Sequence, residues 1–195
     1  MHRPAGLFEQ KREHCLILAS SHKTILDPWL IMIGLKYRHF RTLVPIRILA
    51  TQTFVGPLNW FKPLIKLIYR LGGVIELPPE SHEKGFHPEK TRGLLVALHH
   101  GDVVAIFPEG GLWRKREPPI GEFAAGVIYV ERKSGAMIVP IAVSLSERLW
   151  PRRRYVVRFG EPTQSPKNLE FDLAAAWLRE RVLELYQQIE KQVER

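Results

Sequence analysis

The stretch HCLILASSHKTILDPW (residues 14–29) contains an apolar run, a polar turn and the start of a second apolar segment. Its first part, HCLILAS (14–20), is short and apolar and stops at polar residues, which predicts a buried strand. Asp27 followed by Pro28 predicts a helix start, with Asp27 as the N-cap and Pro28 in the first helical position. The stretch therefore predicts a strand, a turn and a helix, which is the opening of an α/β unit.

The same alternation continues along the rest of the chain. Further strands are predicted at 44–50, 73–77, 103–106, 136–144 and 154–160, and helices at 56–73, 91–100, 120–133 and 168–193. Strands that alternate with helices favour a largely parallel sheet. We therefore expect a single α/β domain over residues 1–195, with a mostly parallel central sheet flanked by helices.

The composition is that of an ordinary globular protein, with 195 residues, 45% hydrophobic and 25% charged. No apolar stretch is long enough for a membrane-spanning helix, and residues 1–14 lack the apolar core of a signal peptide. These features predict a cytoplasmic protein. The single cysteine, Cys15, excludes an internal disulfide and is expected to be a buried strand thiol.

The formal net charge of +9 predicts an anionic partner, since net charge governs association rather than fold. Nucleic acid, anionic lipid and acidic proteins all remain candidates on charge alone. The basic residues show no zinc-finger spacing and no aromatic RNA-binding strand, so nucleic acid is the least expected of the three.

His22 and Asp27 are the first candidate site residues. A separation of five residues places two helical side chains about 140° apart, so His22 must precede the helix that Asp27 begins. The carboxyl ends of strands are where open α/β sheets bind ligands, and a carboxylate on one imidazole nitrogen makes the other a better base. Taken alone, the two residues also fit a polar loop histidine and an ordinary helix cap.

Two further motifs lie downstream. Phe107 to Gly110 reads FPEG, followed by Gly111 and, further on, Arg114. Glycines let backbone N–H groups approach a ligand, and Glu109 adds a carboxylate at the end of a strand, although an ordinary turn fits the same residues. Pro140, in VPI (139–141), interrupts an apolar strand, which usually indicates an edge strand or a bulge.

The order of these motifs resembles the glycerolipid acyltransferase family, also called the lysophospholipid acyltransferases. The likeness covers residues 14–193 and rests on His-x4-Asp, FPEG and VPI in that order. GGVIEL (72–77) is similar to a glycine-containing strand that the family has between the first two motifs, and the strands at 136–144 and 154–160 are similar to its end. Each motif is weak alone, whereas the ordered series is specific.

The resemblance implies that His22 is the general base that takes the proton of an acceptor hydroxyl, and that Asp27 orients it. It also implies direct attack on an acyl thioester without an acyl-enzyme, which agrees with the absence of a G-x-S-x-G motif. The donor would be acyl-CoA or acyl carrier protein, with no metal and no redox cofactor. Substrate-binding residues would be Glu109, Gly110, Gly111, Arg114 and Pro140.

The chain departs from the family in the residues expected to hold an acceptor phosphate. Members commonly read FPEGTR, whereas this chain has Gly111 and Leu112 in place of threonine and arginine, and its glycine strand ends in Glu76-Leu77 rather than in arginine. The expected acceptor is a lysophospholipid such as 1-acylglycerol-3-phosphate. Its phosphate would be contacted by Arg114, two positions further on, with Lys115, Arg116 or Arg92 as candidate helpers. The alternatives are a non-phosphate amphiphile and a catalytically degenerate relative that binds membranes or carrier protein.

Membrane contact is expected from the predicted helix at 56–73, because the family's frequent N-terminal membrane helices are missing. Its apolar stripe lies beside Trp60 and the basic residues Lys62, Lys66 and Arg70. This pattern suits an interfacial helix on anionic lipid, and it suits a core helix with a solvated face equally well. The family resemblance favours the interfacial helix, so we expect peripheral association with the inner face of the membrane.

Overall fold

Six strands and four helices are present in the part of the chain that the computed structural model describes, namely residues 15–24, 27–34, 46–51, 74–77, 88–113, 117–145 and 155–193. In chain order they are β1 (Leu16–Ser20), α1 (Asp27–Gly34), β2 (Ile46–Thr51), β3 (Val74–Leu77), α2 (Pro88–His99), β4 (Val103–Ile106), α3 (Gly126–Ser134), β5 (Met137–Leu145), β6 (Tyr155–Phe159) and α4 (Phe171–Val193).

The six strands form one sheet in the order β3-β2-β4-β1-β5-β6. All neighbouring strands are parallel except β5 and β6, which are antiparallel. This arrangement confirms the predicted α/β fold with a mostly parallel central sheet. It also places β1 in the interior, between β4 and β5.

Helices cover both faces of the sheet, which explains why the parallel strands read as continuous apolar runs. One face packs Ile17, Val104 and Ile138 against buried side chains of α2, α3 and α4. The other face packs Leu16, Leu18 and Val139 together with Ile31 of α1. All five residues of β1 are buried, so the strand that precedes His22 is firmly anchored.

The strand predictions are confirmed to within about two residues at each end, but two helices begin later than predicted. The helix expected from Ile120 begins at Gly126, because Gly121 and Ala124 donate their backbone N–H groups to the loop after β4. The helix expected from about residue 168 begins at Phe171, after a turn in which the Leu169 N–H bonds to the Pro166 carbonyl.

Pro140 does not mark an edge strand, since β5 lies between β1 and β6. Its carbonyl accepts the N–H of Gly160, and the next pairing along β5 joins Ile138 to Thr163. The two residues from Pro140 to Ile138 are thus matched by three residues, from Gly160 to Thr163, on the opposite segment. One extra residue on one side of a pair of strands is a bulge. The structure therefore supports the bulge interpretation. The regular pairing of β5 with β6 ends beside Pro140, which has no backbone N–H to donate.

The predicted interfacial helix at 56–73 lies outside the described residues. Within the described ranges, no helix combines the length and the apolar character that crossing a membrane requires.

Candidate active site

The His-x4-Asp and FPEG motifs meet at one edge of the sheet. β1 and β4 are parallel neighbours with Ala19 opposite Ile106, so the residues that follow both strands emerge side by side. His22 follows β1, and Phe107 begins the loop after β4. This is the carboxyl edge of the strands, where open α/β sheets bind their ligands.

The chain just before His22 is tied to β5. Ser21 donates its N–H to the carbonyl of Ile141 at 3.1 Å, and its Oγ accepts the N–H of Val143 at 3.1 Å. These bonds continue the β1–β5 ladder one residue beyond the strand. His22 therefore starts from a fixed backbone position.

The predicted contact between His22 and Asp27 is present. His22 Nδ1 lies 2.9 Å from Asp27 Oδ2, with the histidine side chain 18% exposed and the aspartate side chain fully buried. The imidazole also stacks on the ring of Phe107, with centroids 4.2 Å apart and planes at 28°. The carboxylate and the aromatic ring together hold the imidazole in one orientation.

Asp27 is the acceptor of a dense set of hydrogen bonds. Its Oδ2 also accepts the N–H groups of Lys23 at 2.5 Å and Thr24 at 2.9 Å. Its Oδ1 accepts Thr24 Oγ1–H at 2.7 Å and the phenol of Tyr155. These donors belong to His22, to the turn that precedes α1 and to β6, so the carboxylate ties down that turn. The predicted role of Asp27 as the cap of α1 stays a prediction.

Burial raises the pKa of Asp27, but the hydrogen bonds from His22, Tyr155 and Thr24 lower it by more. The net pKa lies below the ordinary value. Asp27 is therefore an anion at neutral pH despite its burial, as a partner for an imidazolium needs to be.

Glu109 joins three segments through backbone hydrogen bonds. Its Oε2 accepts the N–H of His22 at 2.8 Å, and its Oε1 accepts the N–H of Gly121 at 2.9 Å. Burial raises the pKa of Glu109, and the two N–H donors with nearby Lys23 and His22 only partly offset this effect. In this structure the carboxylate organises the backbone around His22.

The loop after β4 closes over the same residue from the other side. Phe107 and Gly110 form a turn with a hydrogen bond of 3.1 Å, in which Gly110 has the positive φ of 69° that favours glycine. Trp113 then donates its N–H to the carbonyl of His22 at 2.7 Å. Both backbone polar groups of His22 are thereby bound by residues of this loop.

Lys23 is a basic side chain that the structure brings to the site. Its Nζ donates to the carbonyl of Pro119 and lies 5.6 Å from the ring centroid of Tyr186. Burial lowers its pKa, although the charges of Glu109, Asp27 and Glu190 act in the opposite direction. Its ammonium group therefore lies among acidic side chains rather than in open solvent.

The other predicted site residues are only partly accounted for. Gly111 is exposed in the loop with open space around its Cα, whereas Arg114 lies outside the described residues. Pro140 is buried, and its Cγ lies only 2.7 Å from where a Cβ on Gly160 would be. This proline has a packing contact in the sheet, and its predicted role toward substrate stays a prediction.

Tyr155 and Phe107 contact the His22–Asp27 pair in ways that the sequence did not predict. Tyr155 lies opposite Leu145, at the end of β5, because β6 runs antiparallel and begins at the carboxyl edge. The signal was the short connection of nine residues between β5 and β6, which suits an antiparallel neighbour better than a crossover helix. The sequence pattern indicates Phe107 only as part of the FPEG turn.

Among the described residues, no cluster of three or more His, Cys, Asp or Glu side chains is arranged to bind a metal ion.

The fold and the site together define a class of protein, an α/β protein with a buried aspartate bound to a partly exposed histidine at the carboxyl edge of its sheet. A family model described as Acyltransferase matches residues 6–144, which is most of the chain. The chain therefore belongs to this family, the glycerolipid acyltransferase family that its motifs resemble. This membership supports acyl transfer as the activity. No curated protein matches the chain.

Proposed function

We propose that this protein transfers a fatty acyl group from acyl-CoA or acyl carrier protein to a hydroxyl of a lysophospholipid such as 1-acylglycerol-3-phosphate. The observation that carries the proposal is the 2.9 Å contact of His22 Nδ1 with the fully buried Asp27 carboxylate. A carboxylate that holds Nδ1–H leaves Nε2 as the basic nitrogen of the neutral ring.

In the proposed reaction, His22 Nε2 removes the proton of the acceptor hydroxyl while its oxygen attacks the thioester carbonyl. The negative charge of Asp27 stabilises the imidazolium that forms. When the tetrahedral intermediate collapses, the C–S bond breaks and the thiolate takes the proton from His22. The products are the ester and free CoA or carrier thiol, and no acyl-enzyme is formed.

The oxyanion of that intermediate needs N–H donors close to the attacked carbonyl. The N–H groups of Gly110 and Trp113 already donate to the backbone carbonyls of Phe107 and His22, respectively. We assign the role to the two N–H groups between them, those of Gly111 and Leu112. Gly110, Gly111 and Arg114 would then form the acceptor side of the site, with Glu109 holding the loop in place.

We further propose that the protein works at an anionic membrane on the cytoplasmic side. Its formal net charge of +9 favours such a surface. Leu112, 39% exposed, places an apolar side chain on the loop beside His22, which suits access to a lipid acceptor.

The test is an acyl-transfer assay with purified protein, anionic vesicles and either acyl-CoA or acyl carrier protein. Thiol release is expected only when a lysolipid is present, and His22→Gln is expected to abolish it. His100→Gln, an exposed residue after α2, is the matched control and should leave the rate unchanged. Lysophosphatidate and monoacylglycerol, compared as acceptors, report whether a phosphate is required.

Two outcomes contradict the proposal in different ways. Full activity in His22→Gln would exclude the His22 mechanism. Vesicle binding without turnover for every donor and acceptor would identify the chain as a catalytically degenerate relative.

A further inference from the structure

We propose that Tyr155 is a positioning residue that tunes His22 as a base by sharing the negative charge of Asp27. Tyr155 has this role in catalysis only if His22 is the general base proposed above. It contacts the carboxylate and not the imidazole, so its effect passes through Asp27.

The two oxygens of the Asp27 carboxylate have different partners. Oδ2 contacts His22 Nδ1 and the backbone N–H groups of Lys23 and Thr24. Oδ1 accepts the phenol of Tyr155 and the hydroxyl of Thr24. Tyr155 reaches this position from β6, two strands away from β1 in the sheet, and its hydroxyl also hydrogen-bonds with the Thr24 side chain.

Each hydrogen-bond donor to a carboxylate takes up part of its negative charge, so less remains for the other donors. In a buried site, water does not compensate for this loss. A carboxylate bound by Tyr155 therefore attracts the imidazole proton less strongly than one without it. Burial and Asp27 both raise the pKa of Tyr155, so it remains a protonated donor throughout.

The other charged groups that face this pair in the described residues are Glu109, which binds the His22 N–H, and Lys23, which lies among Asp27, Glu109 and Glu190. Neither Glu109 nor Lys23 hydrogen-bonds to the Tyr155 hydroxyl, whose partners are Asp27 and the Thr24 side chain. The change Tyr155→Phe leaves these groups in place and removes only the phenol oxygen.

The experiment follows the His22 ring by NMR as pH is varied, with its signal assigned from His22→Gln. In Tyr155→Phe the titration midpoint is expected to move to higher pH by about 0.5 unit or more, a fraction of the roughly 1–3 units that a full neighbouring charge produces. The acidic limb of kcat/KM should move in the same direction, with activity approaching that of the wild type at alkaline pH.

Tyr129→Phe is the matched control, because Tyr129 lies on α3 and packs against Phe171, away from Asp27. It should leave the midpoint unchanged. An isosteric second variant, 3-fluorotyrosine at position 155, strengthens the phenol as a donor and should move the midpoint to lower pH.

A His22 midpoint that does not respond to either change at Tyr155 overturns the proposal. A uniform loss of activity at every pH, without a shift, also overturns it, since that indicates a purely structural role. Because the NMR titration needs no turnover, a shifted midpoint in a protein that transfers no acyl group would refute the proposed function and leave the role of Tyr155 intact.

Discussion

Glu109 accepts the backbone N–H of His22 at 2.8 Å, so the FPEG motif directly holds the residue that the His-x4-Asp motif supplies. The two residues are 87 positions apart in sequence and meet because β1 and β4 are adjacent parallel strands. The second oxygen of Glu109 binds Gly121, which joins a third segment to the same point. The two motifs thus form one hydrogen-bonded unit.

Replacing Glu109 with alanine is expected to lower the free energy of unfolding by about 2–4 kcal/mol, because two backbone N–H groups lose a charged acceptor in a largely buried site. Urea unfolding followed by circular dichroism measures the change. Glu122→Ala, an exposed position in the same loop, is the control and should stay within about 0.5 kcal/mol of the wild type. Equal effects at both positions would contradict the bridging role of Glu109.

Replacing Asp27 with asparagine is expected to lower kcat by about 10²–10⁴-fold, because the amide carries no charge to orient and stabilise the protonated imidazole. Steady-state thiol release measures the effect. Asp172→Asn, an exposed change in the first turn of α4, should leave kcat unchanged. A rate within a few-fold of the wild type in Asp27→Asn would show that the buried carboxylate is dispensable.

Asp27 also predicts a pH dependence of stability. Its folded pKa lies below the ordinary value of 3.8, so its stabilising effect is present above that value and disappears as the pH falls through the folded pKa. The stability advantage of the wild type over Asp27→Asn should therefore be larger at about pH 5 than at about pH 2.5. Urea unfolding of both proteins at the two pH values measures it, and a constant difference would exclude this linkage.

Gly160 has no room for a side chain. An added Cβ would lie 2.7 Å from Pro140 Cγ and 3.0 Å from Leu185 Cδ1. Gly160→Ala is expected to lower the free energy of unfolding by about 1–3 kcal/mol through overpacking. Thermal unfolding measures the change. Gly111→Ala is the control in this assay, because a Cβ at Gly111 meets nothing within 4 Å. If the two substitutions cost the same, the tight contact with Pro140 does not exist.

Much of the fold could be predicted from local sequence. Apolar runs such as LILAS and VVAI are buried on both faces, and the helix start at Asp27-Pro28 follows from local backbone preferences. The late start of α3 could not be predicted this way. The segment from Ile120 has helical character, but Gly121 and Ala124 give their N–H groups to Glu109 and Pro108, which lie more than ten residues earlier.

The contacts of the candidate site likewise include some that local sequence predicts and some that it does not. The contact of His22 with Asp27 could be anticipated, because both residues flank one short turn. The function of Glu109 as a backbone acceptor and the approach of Tyr155 could not, because they depend on which strands are neighbours and on the direction of β6.

By itself, the sequence determined the order of strands and helices, the acyltransferase family and the identity of the histidine–aspartate pair, since these depend on local periodicity and on motifs. Only the tertiary structure decided which distant groups surround that pair. Backbone N–H groups and hydroxyls form hydrogen bonds with a carboxylate only when donor and acceptor are about 3 Å apart. Which donors come within that distance of Asp27 and Glu109 is therefore set by strand order and chain direction.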